Sequence, residues 1–288
     1  MSDERNLYIS YLDEAKVEDK GPMRKYTIAS MTASKKAYVE DIEQKWKIHR
    51  DTFGIPKGKD IHFTKIKHLL NQNPPVQRPH DPDWVRVFSD GTEIDFSKLH
   101  AFFLDSLTII REAPFIVQIT GLDWDSRHFC RNKDVREHVY FPPFITFREH
   151  MDLMGIYLLG GHLPPFHLNN IKITKLRYDG DVGLQERDDL KRAYHHTLTV
   201  GTRHFKAETA IRLFDEIRFI GKHEIGHDGV THAGSEIIDL ITTMAARDMW
   251  QIDTHKIKIS VPGIGVIDPL PFIKPKILHA QKLQDFFC

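Results

Sequence analysis

Cysteine is nearly absent: Cys130 and Cys288 are the only two in 288 residues. Two thiols make no disulfide scaffold, and neither has a partner at zinc-finger spacing, so a reducing, cytoplasmic setting is expected. Net charge is absent as well, with 40 Lys and Arg balancing 40 Asp and Glu. Proteins that coat nucleic acid gain affinity by neutralising phosphates, so this balance argues against a packaging role. It leaves a nuclease open, because active-site carboxylates offset basic groove residues. No run approaches the roughly 18 consecutive apolar residues of a membrane-spanning helix. The opening MSDERNLYISYLDEA lacks the apolar core of a secretion signal, so no membrane association is expected. There is no Gly-x-x-x-x-Gly-Lys-Ser/Thr loop, and PGIGV at 262–266 has no helix after it, which removes the common nucleotide-binding motifs.

What is present is alternation of strand and helix patterns. LYISYLD at 7–13 alternates apolar and polar residues and reads as a strand ending at Asp13 and Glu14. A charged turn and a second strand, RKYTIASMTAS, complete a hairpin. From Ser34, a good N-cap, apolar residues at Val39, Ile42, Trp46 and Phe53 predict a helix that stops at Gly54. DIHFTKI reads as a short strand. Residues 71–95, with four prolines, read as a long loop: a flap over substrate or an insertion. Helices are expected over 97–112, 134–159 (interrupted at Pro142 and Pro143), 185–206 and 231–250. Strands are expected over 114–122, 171–179 and 216–221. Such alternation implies crossover units, hence an α/β fold with a mixed sheet: an antiparallel N-terminal hairpin plus parallel strands, flanked by helices. Residues 1–250 form one domain in this reading, and 251–288 a tail packed on it.

Acids fall near several expected strand ends: Asp13 with Glu14, Asp179 with Asp181, and Asp123 with Asp125. In open α/β sheets functional groups gather at the carboxyl ends of strands. On the 231–250 helix, Glu236 and Asp239 stand at i, i+3 and share a face with His232 and Thr243. Carboxylates brought to one end of one sheet repel one another unless a cation sits among them, and oxygen ligands favour Mg²⁺ or Mn²⁺ over zinc. The plain reading is a solvated polar face with ordinary helix caps.

Taken together, YLDEA, a hairpin strand and helix, DIHFTKI, a strand entering RYDGD, and EIIDLITTMAARD resemble a bacterial ribonuclease-H-like family labelled domain of unknown function 3800, over roughly residues 7–250. That family opens with Tyr-x-Asp-Glu-Ser and carries a late Gln-x-Ala-Asp-Leu helix. The resemblance implies a ribonuclease-H-like mixed sheet and makes Asp13, Asp179 and Asp239 the catalytic, metal-holding acids. Glu14, Asp181 or Glu236 would complete the shell, and Asp60 with His62 would match an acid-x-His element that contacts substrate. Ala15 stands where the family has serine, and Glu236-Ile237-Ile238 where it has Gln-x-Ala, which adds a carboxylate one turn from Asp239. The implied activity is phosphodiester hydrolysis of RNA or DNA with two ions about 4 Å apart. Arg78 and Arg86 in the flap would position the phosphate backbone. The three aspartates are then expected within about 8 Å of one another.

Histidine is unusually frequent, at 18 residues. Residues 223–227 spell HEIGH, the zinc-peptidase pattern in which His223 and His227 bind Zn²⁺ and Glu224 activates water. That pattern needs a helix, whereas Gly221, Gly226 and Gly229 surround it and Asp228 follows the second histidine. A loop beside the acids is the favoured reading, with His223 or His227 contacting substrate phosphate or shuttling protons. Three function classes therefore stand: a Mg²⁺- or Mn²⁺-dependent nuclease, a zinc peptidase, and a non-catalytic scaffold or partner-binding subunit. A nucleic-acid substrate, with either a homodimer or a partner protein from the same system, is the expected association. Fold alone does not choose among these classes.

Overall fold

The computed structural model describes residues 7–18, 23–91, 93–125, 142–160, 173–221 and 232–284. Alternating residues rich in β-branched and aromatic types form the hairpin β1 (Leu7–Glu18) and β2 (Met23–Ser34). The Ser34 hydroxyl accepts from the Ala37 amide and starts the helical rod α1, which runs Lys35–Ala37, then a π-turn Tyr38–Ile42, then Glu43–Phe53. Short helices α2 (Phe63–His68) and α3 (Pro82–Val87) lead to α4 (Phe96–Glu112) and β3 (Ile116–Asp125). Next come α5 (Pro142–Leu158), β4 (Ile173–Asp179), α6 (Leu184–Val200), α7 (Ala207–Leu213), β5 (Phe214–Ile220) and α8 (Ala233–Trp250). The chain closes with a small hairpin, β6 (Ile259–Val261) and β7 (Gly265–Ile267), a turn of helix α9 (Leu270–Ile273), and β8 (Ile277–Gln284).

The main sheet has six strands in the order β5-β4-β1-β2-β3-β8. β2 runs antiparallel to both β1 and β3, whereas β4 is parallel to β1, β5 to β4 and β8 to β3. The expected α/β mixed sheet, hairpin plus parallel crossovers with helices on both faces, is therefore what forms. Side chains alternate across it. Tyr11, Ala29 and Met31 face a core shared with α1, α4 and α8, while Leu12, Tyr26, Ile28, Leu176 and Tyr178 face a second core shared with α5, α6 and α7. Buried hydroxyls pin the centre: Ser10 Oγ lies 2.9 Å from both Thr32 Oγ1 and Thr174 Oγ1, tying β1 to its two neighbours.

Four sequence expectations need correction. DIHFTKI is not a strand; it turns into α2, because Phe63 and Ile66 bury at helical spacing. The 71–95 stretch is not simply a flap: its second half folds as α3, where Trp84 and Val87 are buried with the following Phe88. The 251–288 tail does more than pack on the domain, since β8 adds an edge strand beside β3. Residues 185–206 also end earlier as a helix, at Val200, and α7 follows as a separate element. The 134–159 helix is described only from Pro142, where proline is tolerated in a first turn.

Helix α8 lies close on β1 because Gly234 has no side chain there. A Cβ at Gly234 would stand 2.1 Å from the Tyr11 ring. That ring is itself stacked on Tyr38, with centroids 5.2 Å apart, and the Tyr38 hydroxyl accepts from the Gly234 amide at 3.2 Å. Gly234→Ala must push α8 off β1, and overpacking of this kind costs about 1–3 kcal/mol. The expected outcome is a lower urea midpoint with an unchanged slope; an unshifted midpoint would show that the Tyr11–Tyr38 stack yields freely.

Candidate functional site

Register places the first two acids. The parallel pairing of β1 with β4 runs to Leu12 opposite Tyr178, so the next step puts Asp13 beside Asp179, on strands about 4.8 Å apart. Leu12 and Tyr178 face the second core, so both aspartates face the side of the sheet that α8 covers. Asp13 is only 6% exposed. Asp179 ends β4, and its Oδ1 accepts from the Asp181 amide at 2.9 Å, which tightens the turn that leaves the strand. Helix α8 begins over Tyr11, and its Ala246 packs with Ala15 and Val17, so it runs along β1 in the same direction. Asp239 falls between these contacts, level with Asp13. Its Oδ2 lies 3.4 Å from the Phe63 amide and 3.9 Å from His62 Nδ1, a nitrogen buried without a hydrogen bond among the described residues. Asp60, 7% exposed and without a hydrogen bond among the described residues, begins the same segment.

Two expected shell members lie elsewhere. Glu14 follows Asp13 directly on a strand, so it points to the opposite face. There Tyr26 donates to Glu186 Oε1 at 2.6 Å and Lys16 donates to Glu186 Oε2 at 2.5 Å. Burial pushes the Glu14 carboxyl up to about 8, with the Glu186 and Asp179 carboxylates adding to the rise and Lys16 opposing it. The buried Tyr178 hydroxyl stands beside Glu14 and Tyr26, and its hydrogen bonding to the Glu14 carboxylate is one influence that opposes the rise. Glu236 is also committed away from the aspartates: it accepts from Trp46 Nε1 at 2.6 Å, Arg50 at 2.5 Å and the Ile61 amide at 2.8 Å. His223, Glu224 and His227 lie outside the described residues, as does the rest of HEIGH. Arg86 is exposed on α3 and Arg78 exposed in the loop before it.

Sequence reasoning passed over Glu186, Trp46 and Arg50 as site neighbours. A signal existed for the last: Arg50 stands four residues after Trp46 on the buried stripe of α1, where a charge must find a partner. Nothing in the local sequence marks Glu186, which reaches β1 only through the α6 crossover.

Oxygen donors at Asp13 and Asp179 suit a hard divalent ion. Mg²⁺ characteristically binds through one or two carboxylates and keeps several waters. Among the described residues no group of three or more His, Cys, Asp or Glu side chains is gathered as a metal cage; the register brings Asp13 and Asp179 together, and Asp239 is carried by the helix above them.

The far face makes its own pH prediction. Below about pH 4.5 both folded and unfolded chains keep the Glu14 proton; between there and about pH 8 only the unfolded chain releases it. Stability from this group therefore falls as pH rises through that window, by no more than roughly 1.4 kcal/mol per pH unit. Glu14→Gln, which fixes the neutral form, is expected to raise the melting temperature at pH 8 and leave it unchanged near pH 4.5. An identical pH slope in wild type and variant would contradict the assignment. Compared with known proteins, the chain matches no protein-family model and no curated protein sequence.

Proposed function

We propose that this chain is a Mg²⁺- or Mn²⁺-dependent phosphodiesterase acting on nucleic acid, with a ribonuclease-H-like fold. The observation that carries the reading is the β1–β4 register, which sets Asp13 beside Asp179 beneath the helix that bears Asp239. The strand order supports the fold assignment, because parallel β4 and β5 extend the sheet on the far side of β1 from its antiparallel hairpin. Asp13 and Asp179 would hold the ion, with Asp239 opposite them on α8. When bound, such an ion polarises the phosphoryl oxygen and makes water a stronger nucleophile.

The chain's own residues supply the rest. Asp13 is buried, so its charge acts at low dielectric and attracts a cation strongly. Residues 60–63 border Asp239 and bring an imidazole to the rim of the site. Arg78 and Arg86, both exposed, are the basic groups proposed to meet the phosphate backbone. Among the described residues no helix is long and apolar enough to cross a membrane. A cytoplasmic protein, working alone, as a homodimer or with a partner protein, is the setting this reading implies.

The test is hydrolysis of labelled single- and double-stranded RNA and DNA with Mg²⁺ or Mn²⁺ titrated in. Asp13→Asn keeps the shape and removes the charge that draws in the cation, and is expected to abolish activity while the fold persists. Chelator should abolish wild-type activity, and Asp239→Asn should behave like Asp13→Asn. Full activity in Asp13→Asn, or activity that survives chelator, would sink the proposal.

A further inference from the structure

Glu236 and Arg50 form an ion pair whose side chains are only 4% and 3% exposed. Burying two charges is a poor route to stability, since apolar replacements of similar volume are often neutral or better. The pair does something more specific than hold α1 to α8. The second guanidinium nitrogen of Arg50 donates to the carbonyls of Pro56, at 3.1 Å, and Lys59, at 2.6 Å. Glu236 itself takes the Ile61 amide at 2.8 Å. The turn after α1 is thus fastened at three backbone points by one buried pair, with Trp46 Nε1 fixing the carboxylate from the side.

That turn delivers the next residues to the acid site. Ile61 and Phe63 bury their side chains in the core, which turns His62 the other way. The Phe63 amide and His62 Nδ1 then both approach Asp239 Oδ2, one helical turn after Glu236. We infer that Glu236 is a positioning residue: through Arg50, Trp46 and the Ile61 amide it holds residues 60–63 against Asp239 and so orients that carboxylate. This rests on reading Asp13, Asp179 and Asp239 as the metal-holding acids, and it gives Glu236 a role distinct from theirs.

Glu236→Gln leaves Arg50 charged and unpaired, and that variant risks unfolding. The informative protein is the double variant Arg50→Met/Glu236→Leu, which removes both charges and keeps volume. Its thermal midpoint should return close to wild type. Its kcat on the nucleic-acid substrate should nevertheless stay about 10–100-fold down, the usual effect of losing a partner that orients a ligand, with KM changed less than about twofold. Amide exchange at Ile61 and Phe63 should quicken at least about tenfold while β1 and β2 stay protected. Trp46→Phe, which deletes one donor and keeps the ion pair, should show the same two changes in weaker form. It decides the question if the double variant does not fold. Wild-type kcat in the folded variant, alongside a dead Asp13→Asn, overturns this inference alone. An active Asp13→Asn overturns the functional reading instead, and exchange then decides by itself. Unchanged protection at Ile61 and Phe63 would show that Glu236 does not hold the segment.

Discussion

The structure depends on the register of one strand. β1 is hydrogen-bonded on both sides, to β4 and to β2, and its side chains must fill two different cores in strict alternation. A slip by one residue would exchange every side chain between those cores. The buried Ser10 hydroxyl, within reach of Thr32 and Thr174 at once, penalises such a slip, because displaced hydroxyls would be buried unpaired. The same alternation sends Asp13 and Glu14 to opposite faces. Consecutive acids on a strand cannot serve one site; each belongs to whatever the sheet places above or below it.

The two faces treat their acids differently. On the α8 side, Asp13 and Asp179 stand on neighbouring parallel strands, under the helix that carries Asp239 and that Gly234 allows to sit close. On the other side, Glu14 lies near Glu186, Tyr26 and Tyr178, and burial holds its proton well above the ordinary carboxylate range. A neutral carboxyl there relieves the repulsion that a second ionised acid would add close to Asp179. Glu236 represents a third environment, in which a fully paired carboxylate ties the turn after α1 to α8. Acids that look equivalent along the sequence are thus divided between two faces of the sheet and a buried ion pair: Asp13 and Asp179 under α8, Glu14 among Tyr26, Tyr178 and Glu186, and Glu236 against Arg50.

How far this was legible in the sequence depended on where each signal lies. The N-terminal hairpin, the helix capped by Ser34 and the helix carrying Asp239 were readable because their periodicity and caps are local. DIHFTKI misled because the group that meets the first amide of its helix is the Asp239 carboxylate, 176 residues away, and the residues themselves alternate like a strand. The 71–95 stretch hid a core helix behind its prolines, although Trp84, Val87 and Phe88 carry the spacing. β8 was missed because a short strand becomes recognisable only beside its partner β3, more than a hundred residues earlier. For the site, strand-end acids were readable singly, but the face each one takes required the register. The role of Glu236 required its partners Trp46 and Arg50 to be seen.

The central claim is that Asp13 and Asp179 together hold a divalent ion beneath α8. Crystals grown with Mn²⁺ test it most directly, through an anomalous difference map. The account predicts a peak about 2 Å from a carboxylate oxygen of each of these two aspartates, on the face that carries Asp239. A map with no peak between them, and Mn²⁺ instead bound at His223 and His227, would contradict it.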